Sequence, residues 1–291
     1  MSLLSGLEKF GLDEMKMDNL FEESTTKKVV IETGETKVLP PEEKDFLLMK
    51  SIRCPVCDAV FRSRMVKAGR AKRLESDKDL RPRFQYIDTN KYDVSSCPNC
   101  GYTAINRYFP HLSQVQVKMM EETVRSKFKS SPIDLHEEVS AYDYDTAIER
   151  YKLALYCTLV KKGQTSEKAY ECLKLAWLYR GKREELLEKD PEQKDSKELI
   201  AQCEKDELTY YTQAFEGFQK AISSENYPMA GMDQSTVDML VASMAMRLGK
   251  YDVASRFVSG ILVSQAANRN IKNKALIMKE EILEAVKKQN S

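Results

Sequence analysis

Histidine is almost missing from this chain: two occur in 291 residues. His111 precedes a predicted helix and His136 stands beside Glu137 and Glu138, so neither belongs to a His-Glu-x-x-His metal motif or a nucleophile arrangement. His111 is read as a helix-entry or packing residue. Glycine is sparse as well. No two of the 11 glycines stand closer than five residues apart, which excludes a dinucleotide fingerprint and a phosphate-binding loop. Long apolar runs are absent too. The most apolar stretch, Leu240 to Met246, falls well short of the roughly 20 residues a membrane helix requires. The N-terminus has no basic start, apolar centre and cleavage site in succession, so a cytoplasmic protein without a membrane span is expected. No catalytic residue can be assigned from these patterns, and a non-catalytic protein is the expectation.

Against these absences stand two identical thiol pairs, Cys54-Pro55-Val56-Cys57 and Cys97-Pro98-Asn99-Cys100, separated by 39 residues. A Cys-x-x-Cys segment bends tightly enough for both sulfurs to bind one ion, and two such knuckles close a tetrahedral shell at about 2.3 Å per Zn–S bond. Proline after each first cysteine fixes φ, while Gly101 after the second pair can take a positive φ. Asp58 holds the equivalent place after the first pair and tolerates the same region. With Cys54, Cys57, Cys97 and Cys100 filling all four positions, one structural Zn2+ is predicted, with no open place for an activated water. Rubredoxin-like iron uses the same ligands. A redox dithiol usually opens a helix in a βαβ setting, which nothing in this chain resembles. Cys157, Cys172 and Cys203 fall inside helical patterns as small apolar residues.

The net charge of +1 hides an asymmetry. Residues 1–52 carry 7 basic and 11 acidic residues, 53–108 carry 12 and 6, and the remainder 27 and 28. The metal segment is the basic part. Ala59 to Lys67 is predicted as a strand, with Tyr86 to Val94 as its partner entering the second knuckle. Arg62, Arg64, Lys67, Arg70, Lys72 and Arg73, with Phe61, Phe84 and Tyr86 nearby, form a candidate nucleic-acid surface with stacking aromatics. The alternative, which we favour, is a solvated strand face whose aromatics supply the small core of the ribbon.

Residues 1–26 suggest a short amphipathic arm, Lys28 to Val38 an extended segment, and Pro40-Pro41 a boundary. Beyond Pro110 the period becomes helical. Gln114 to Lys129 carries Val117, Met120, Val124 and Phe128 on one side, after a capping Ser113 and before Pro132. Asp145 to Lys161 carries Ile148, Tyr151, Leu155 and Leu159, and Ser166 to Arg180 carries Ala169, Leu173, Ala176 and Trp177. Helix continues from Glu184 to Lys189, breaks at Pro191 and resumes from Ser196 to Ser223. The acidic group Asp143, Asp145 and Glu149 is read as helix capping and first-turn charge. A small-aromatic-small spacing recurs: Ala147, Tyr151, Ala154 and Leu155 match Ala214, Phe218, Ala221 and Ile222, and more weakly Ala254, Val258, Ile261 and Leu262. Such positions let paired helices approach closely, as in a tetratricopeptide repeat.

The pairing of CPVC with CPNCGY across a basic segment containing DLRPRF, followed by YKLALYC and CLKLAWLYR, resembles the bacterial family catalogued as domain of unknown function 2225. The resemblance runs from about Leu47 to Tyr227. It implies a zinc ribbon followed by tetratricopeptide-like helices, with Cys54, Cys57, Cys97 and Cys100 as ligands, and no assigned reaction. The expected fold is α+β, mostly α: an arm over residues 1–45, a zinc ribbon over 46–109 and a tetratricopeptide-like helical domain over 110–291. The expected function is a non-catalytic interaction protein that binds a protein or peptide in a helical groove, with Tyr210, Tyr211, Phe215 and Phe218 as candidate lining. A nucleic-acid-binding regulator is the first alternative and a thiol oxidoreductase the second.

Overall fold

Paired strands make up the first described stretch and helices the rest. The computed structural model describes residues 40–129, 139–189 and 194–289. The predicted arm over 1–26, the extended segment 28–38, Pro132, His136 and Pro191 lie outside the described residues. A single 3-10 turn, Glu43–Phe46, leads into strand β1 (Leu47–Arg53), which pairs antiparallel with β2 (Val60–Val66). The register sets Ile52 opposite Phe61 and Met49 opposite Arg64. The second knuckle is flanked by its own pair, β3 (Val94–Ser96) and β4 (Thr103–Ile105), with Val94 opposite Ile105.

This corrects the predicted pairing of 59–67 with 86–94. The partner of β2 is β1, and Thr89–Tyr92 is a 3-10 turn capped by the Asp88 carboxylate, which accepts from the Asn90 N–H. Each Cys-x-x-Cys is thus the tip of a local hairpin. Adjacent strands joined by a short turn close a smaller loop than strands 20 or more residues apart, and the entropy favours them.

Among the described residues seven α-helices follow: α1 (Gln114–Met120), α2 (Tyr144–Val160), α3 (Thr165–Lys189), α4 (Lys194–Ser224), α5 (Gln234–Arg247), α6 (Tyr251–Val263) and α7 (Arg269–Gln289). The predicted long first helix is α1 plus a π-turn over Glu121–Arg125. Capping chemistry sets the starts. Ser113 and Gln116 exchange reciprocal bonds at α1, while Asp143 and Asp233 accept from the N–H groups of Thr146 and Thr236 at α2 and α5. The connections from α2 to α3 and from α5 to α6 are short, which makes neighbours antiparallel, and each helix from α2 onward packs chiefly on a helix adjacent to it in sequence. Ala147, Tyr151 and Ala154 on α2, Ala214, Phe218 and Ala221 on α4, and Ala254, Val258 and Ile261 on α6 are all buried. Leu159 departs from its expected stripe: it is exposed, and Cys157 and Thr158 take the inward positions.

Residues Pro41–Ser291 pack as one compact unit. Cys54, Phe61, Tyr102 and Phe109 share a core with Met120, Val124 and Cys157, so the knuckles and the first helices exclude water together. A second shared core joins Val94 and Ile105 to Ala147, Ile148 and Tyr151.

Candidate metal centre and the network beside it

Two tight turns deliver the four sulfurs. At the first knuckle the Asp58 N–H donates to the Cys54 carbonyl and the Cys54 N–H to that of Ala59; at the second, the Gly101 N–H donates to the Cys97 carbonyl and the Cys97 N–H to that of Tyr102. The residue closing each turn has positive φ, 59° at Asp58 and 75° at Gly101. At Gly101 a second constraint applies, because an added Cβ would lie 2.3 Å from the Phe128 ring. Glycine therefore meets both the backbone and the packing requirement at that point.

The sulfurs of Cys54, Cys57, Cys97 and Cys100 all lie within 4.8 Å of one another. Cys54 and Cys100 are 3.6 Å apart, as are Cys57 and Cys97. Four sulfurs bound at about 2.3 Å to one ion stand about 3.8 Å apart in a tetrahedron. The arrangement fits one metal ion. Backbone N–H groups of Val56 and Cys57 point at the Cys54 sulfur, and those of Cys100 and Asn99 at the Cys97 sulfur, which favours thiolate. As bare thiols Cys54, Cys97 and Cys100 compete for protons: Cys97 is drawn down by hydrogen bonds from Cys100 and Cys54, while Cys100 is pushed up by its contacts with Cys54 and Cys97. A bound cation removes that conflict by stabilising all four thiolates together.

The candidate nucleic-acid surface is only partly on the surface. Arg62, Lys67, Arg70, Lys72 and Arg73 are exposed. Arg64 is buried, donating to Tyr142 Oη and Ser140 Oγ at 3.0 Å each, and leaves that set because its guanidinium ties β2 to the segment before α2. Phe61 is buried edge-on against Phe109, and Phe84 is half-buried; Tyr86 is exposed and stacks on Phe46. The candidate groove is corrected more fully. Tyr211, Phe215 and Phe218 are 1%, 1% and 0% exposed and belong to the helical core, and Tyr210 stacks on Tyr179. Helical spacing marks an inward face without telling core from groove. His111 is exposed with its N–H bonded to the Tyr108 carbonyl, Asp143 caps α2, and Asp145 pairs with Lys182. Cys157, Cys172 and Cys203 are buried free thiols.

A feature missed in the sequence is the buried ionic network around the DLRPRF segment. Asp79, 3% exposed, accepts from Trp177 Nε1 at 3.0 Å and from Arg180 Nη2 at 2.6 Å. Burial alone would raise its pKa, but the Arg180 charge outweighs that and holds it below the usual carboxylate range. Arg180 also donates from Nε to Glu207 at 2.7 Å, and Glu207 in turn pairs with Arg183 and Arg247. Arg81, 3% exposed, reaches Glu184 and Asp88. The excess of charged residues around 77–83 was the one available signal; their partners lie about a hundred residues away in sequence.

The sequence profile of a bacterial family, described as "Uncharacterized protein conserved in bacteria (DUF2225)", matches residues 47–282. No curated protein and no solved structure matches the chain.

Proposed function

Because the chain belongs to this bacterial family, DUF2225, whose description assigns no reaction, we propose from the site itself that it is a non-catalytic interaction protein. In this reading a closed four-cysteine zinc site fixes a small ribbon against a tetratricopeptide-like array that binds a protein or peptide. The observation that carries it is the set of four cysteine sulfurs within 4.8 Å, every ligand position being a protein thiolate. Zn2+ rather than iron fits a site asked only to hold two hairpins together. When bound, the ion crosslinks β1–β2 to β3–β4 and keeps the thiolates from oxidation. Support for the array comes from the small-large-small triplets buried on α2 and α4, with a weaker counterpart, Ala254, Val258 and Ile261, buried on α6. Seven unpaired thiols suit a reducing compartment, and cytoplasmic residence belongs to the same proposal. Among the described residues, no helix is long and apolar enough to cross a membrane.

Elemental analysis with thiol titration tests this. About one zinc per chain, with four thiols becoming reactive on chelation, is expected. A folded, metal-free protein with two fast-reacting cysteine pairs would overturn it in favour of a thiol oxidoreductase. The five exposed basic residues Arg62, Lys67, Arg70, Lys72 and Arg73 favour a second reading, nucleic-acid binding through the ribbon. It requires binding that falls steeply with salt and disappears when those charges are reversed.

A further inference from the structure

Residues 73–84 form a narrow hairpin that leaves the ribbon and lies on the helical array. Arg73 and Phe84 form its bridge, the Leu74 N–H donates to the Arg83 carbonyl, and the Asp77 N–H donates to that of Arg81. The tip is Asp77-Lys78-Asp79-Leu80. Asp79 engages Trp177 and Arg180 of α3, Arg81 engages Glu184 of α3, Ser76 accepts from Lys274 of α7, and Lys78 pairs with Glu281 of α7. Leu80 packs on the apolar core of the array.

Three features set this contact apart from ordinary core packing. The hairpin's backbone bonds stay within it: among the described residues none runs from 73–84 to a helix, so side chains alone attach it. Its fit is incomplete. A cleft of about 710 Å³ opens on one flank, walled by Asp77, Lys78, Arg180, Arg183, Arg247 and Met278, and another of about 620 Å³ on the other. Leu80 and Tyr86 are held at φ of 63° and 65°, a region that side chains of this size occupy only when their surroundings impose it. At the tip, that conformation belongs to the turn itself, which the Leu80 N–H closes by donating to the Asp77 carbonyl.

Resting on the reading of the array as a partner-binding surface, we infer that the face of α3, α5 and α7 is the binding site, and that its ligand is an acidic turn. The recognised chemistry is two carboxylates one residue apart followed by leucine. Hairpin 73–84 is the resident occupant, which a partner carrying such a turn replaces. Arg180 and Trp177 read the second carboxylate, Arg180 also reaches Asp77, and the apolar floor takes the leucine. Because the resident turn is tethered, its effective concentration is on the order of millimolar. A free peptide competes poorly against it.

Two measurements test this, with a synthetic peptide of residues 72–85 as the probe and an Asp77→Asn, Asp79→Asn peptide as control. Trp177, the single tryptophan, reports occupancy of the face by its fluorescence. In the full-length chain carrying Asp77→Lys and Asp79→Lys, the face is vacated. The peptide is expected to bind this chain at least ~10-fold more tightly than the wild type, and the control peptide is expected not to bind. Equal or absent binding to both chains overturns the inference. The second measurement needs no substitution. By hydrogen exchange of the wild type, the Leu74, Asp77 and Leu80 amides should exchange at least ~10-fold faster than the interior of α3, through local opening. Exchange at the rate of α3 would make the hairpin a permanent part of the core and overturn the inference, whether or not the variant folds. Failure of both with the four thiols still metal-protected leaves the zinc-scaffold reading standing; loss of metal protection is the separate failure of that reading.

Discussion

Glu171 lies fully buried between α2 and α3, where Thr158 Oγ1 donates to one carboxylate oxygen at 2.8 Å and the other has no hydrogen-bond partner among the described residues. Burial, helped by the charge of Glu167, pushes its pKa up to about 8 from an ordinary 4.5. The sign follows from proton counting. Between those two values the folded chain keeps a proton that the unfolded chain has lost, so stability is full below the lower value and declines as pH rises toward the upper one. Each unit of displacement corresponds to about 1.4 kcal/mol, so the wild type should lose roughly 2 kcal/mol between pH 6 and pH 8 from this group. Glu171→Gln keeps the shape and removes the titration. Urea unfolding of both proteins at the two pH values should show the decline in the wild type and a flatter response in the variant. A parallel decline would mean that the carboxylate ionises in place, most directly by capturing Lys161, which now pairs with Glu167.

Between elements, α3 and α4 approach closely: a Cβ added at Gly217 would lie 2.8 Å from the Ala169 side chain. Gly260 on α6 has space for a methyl, with no atom of the described residues within 4 Å of an added Cβ. Glycine to alanine gains about 1 kcal/mol of helix propensity at either site, but overpacking removes about 1–3 kcal/mol at the first. Gly260→Ala should therefore raise the melting temperature and Gly217→Ala lower it, by comparable amounts. Two upward shifts would mean that α3 and α4 can separate to admit the added methyl. The same pair of helices shows what a sequence can and cannot reveal. The inward positions of α2, α4 and α6 were legible because Ala147, Tyr151 and Ala154 and their counterparts repeat at helical spacing. The four-cysteine cluster was legible because four thiols at fixed offsets have few other uses. Tyr211, Phe215 and Phe218 were misplaced in a groove, since periodicity gives the side of a helix and says nothing of what covers that side. Asp79 and Arg180 were unreadable as a pair: at positions 101 apart in sequence, only the fold brings them together.

At the scale of the whole molecule, the ribbon and the helices draw on one core. Cys54, Phe61, Tyr102 and Phe109 bury their surface against Met120, Val124 and Cys157, and Arg150 of α2 donates to the Val94 carbonyl of β3 at 3.0 Å. Two hairpins this small would not hold such a core without the crosslink that the proposed ion supplies, because a handful of strand residues bury too little surface to offset their own ordering. Metal removal should therefore be felt beyond the knuckles. Losing several large side chains from a shared core, at about 1.5–3 kcal/mol each, translates at this chain length into a fall in melting temperature on the order of 10 °C. Circular dichroism at the helical wavelength, recorded with and without chelator, reads the helices alone. A lower midpoint in the chelated protein is the expected result, reproduced by Cys97→Ser without chelator. An unchanged helical midpoint, with the four thiols exposed, would make the ribbon an appendage whose order the helices do not need, and the shared core would then have to close over the lost hairpins by itself.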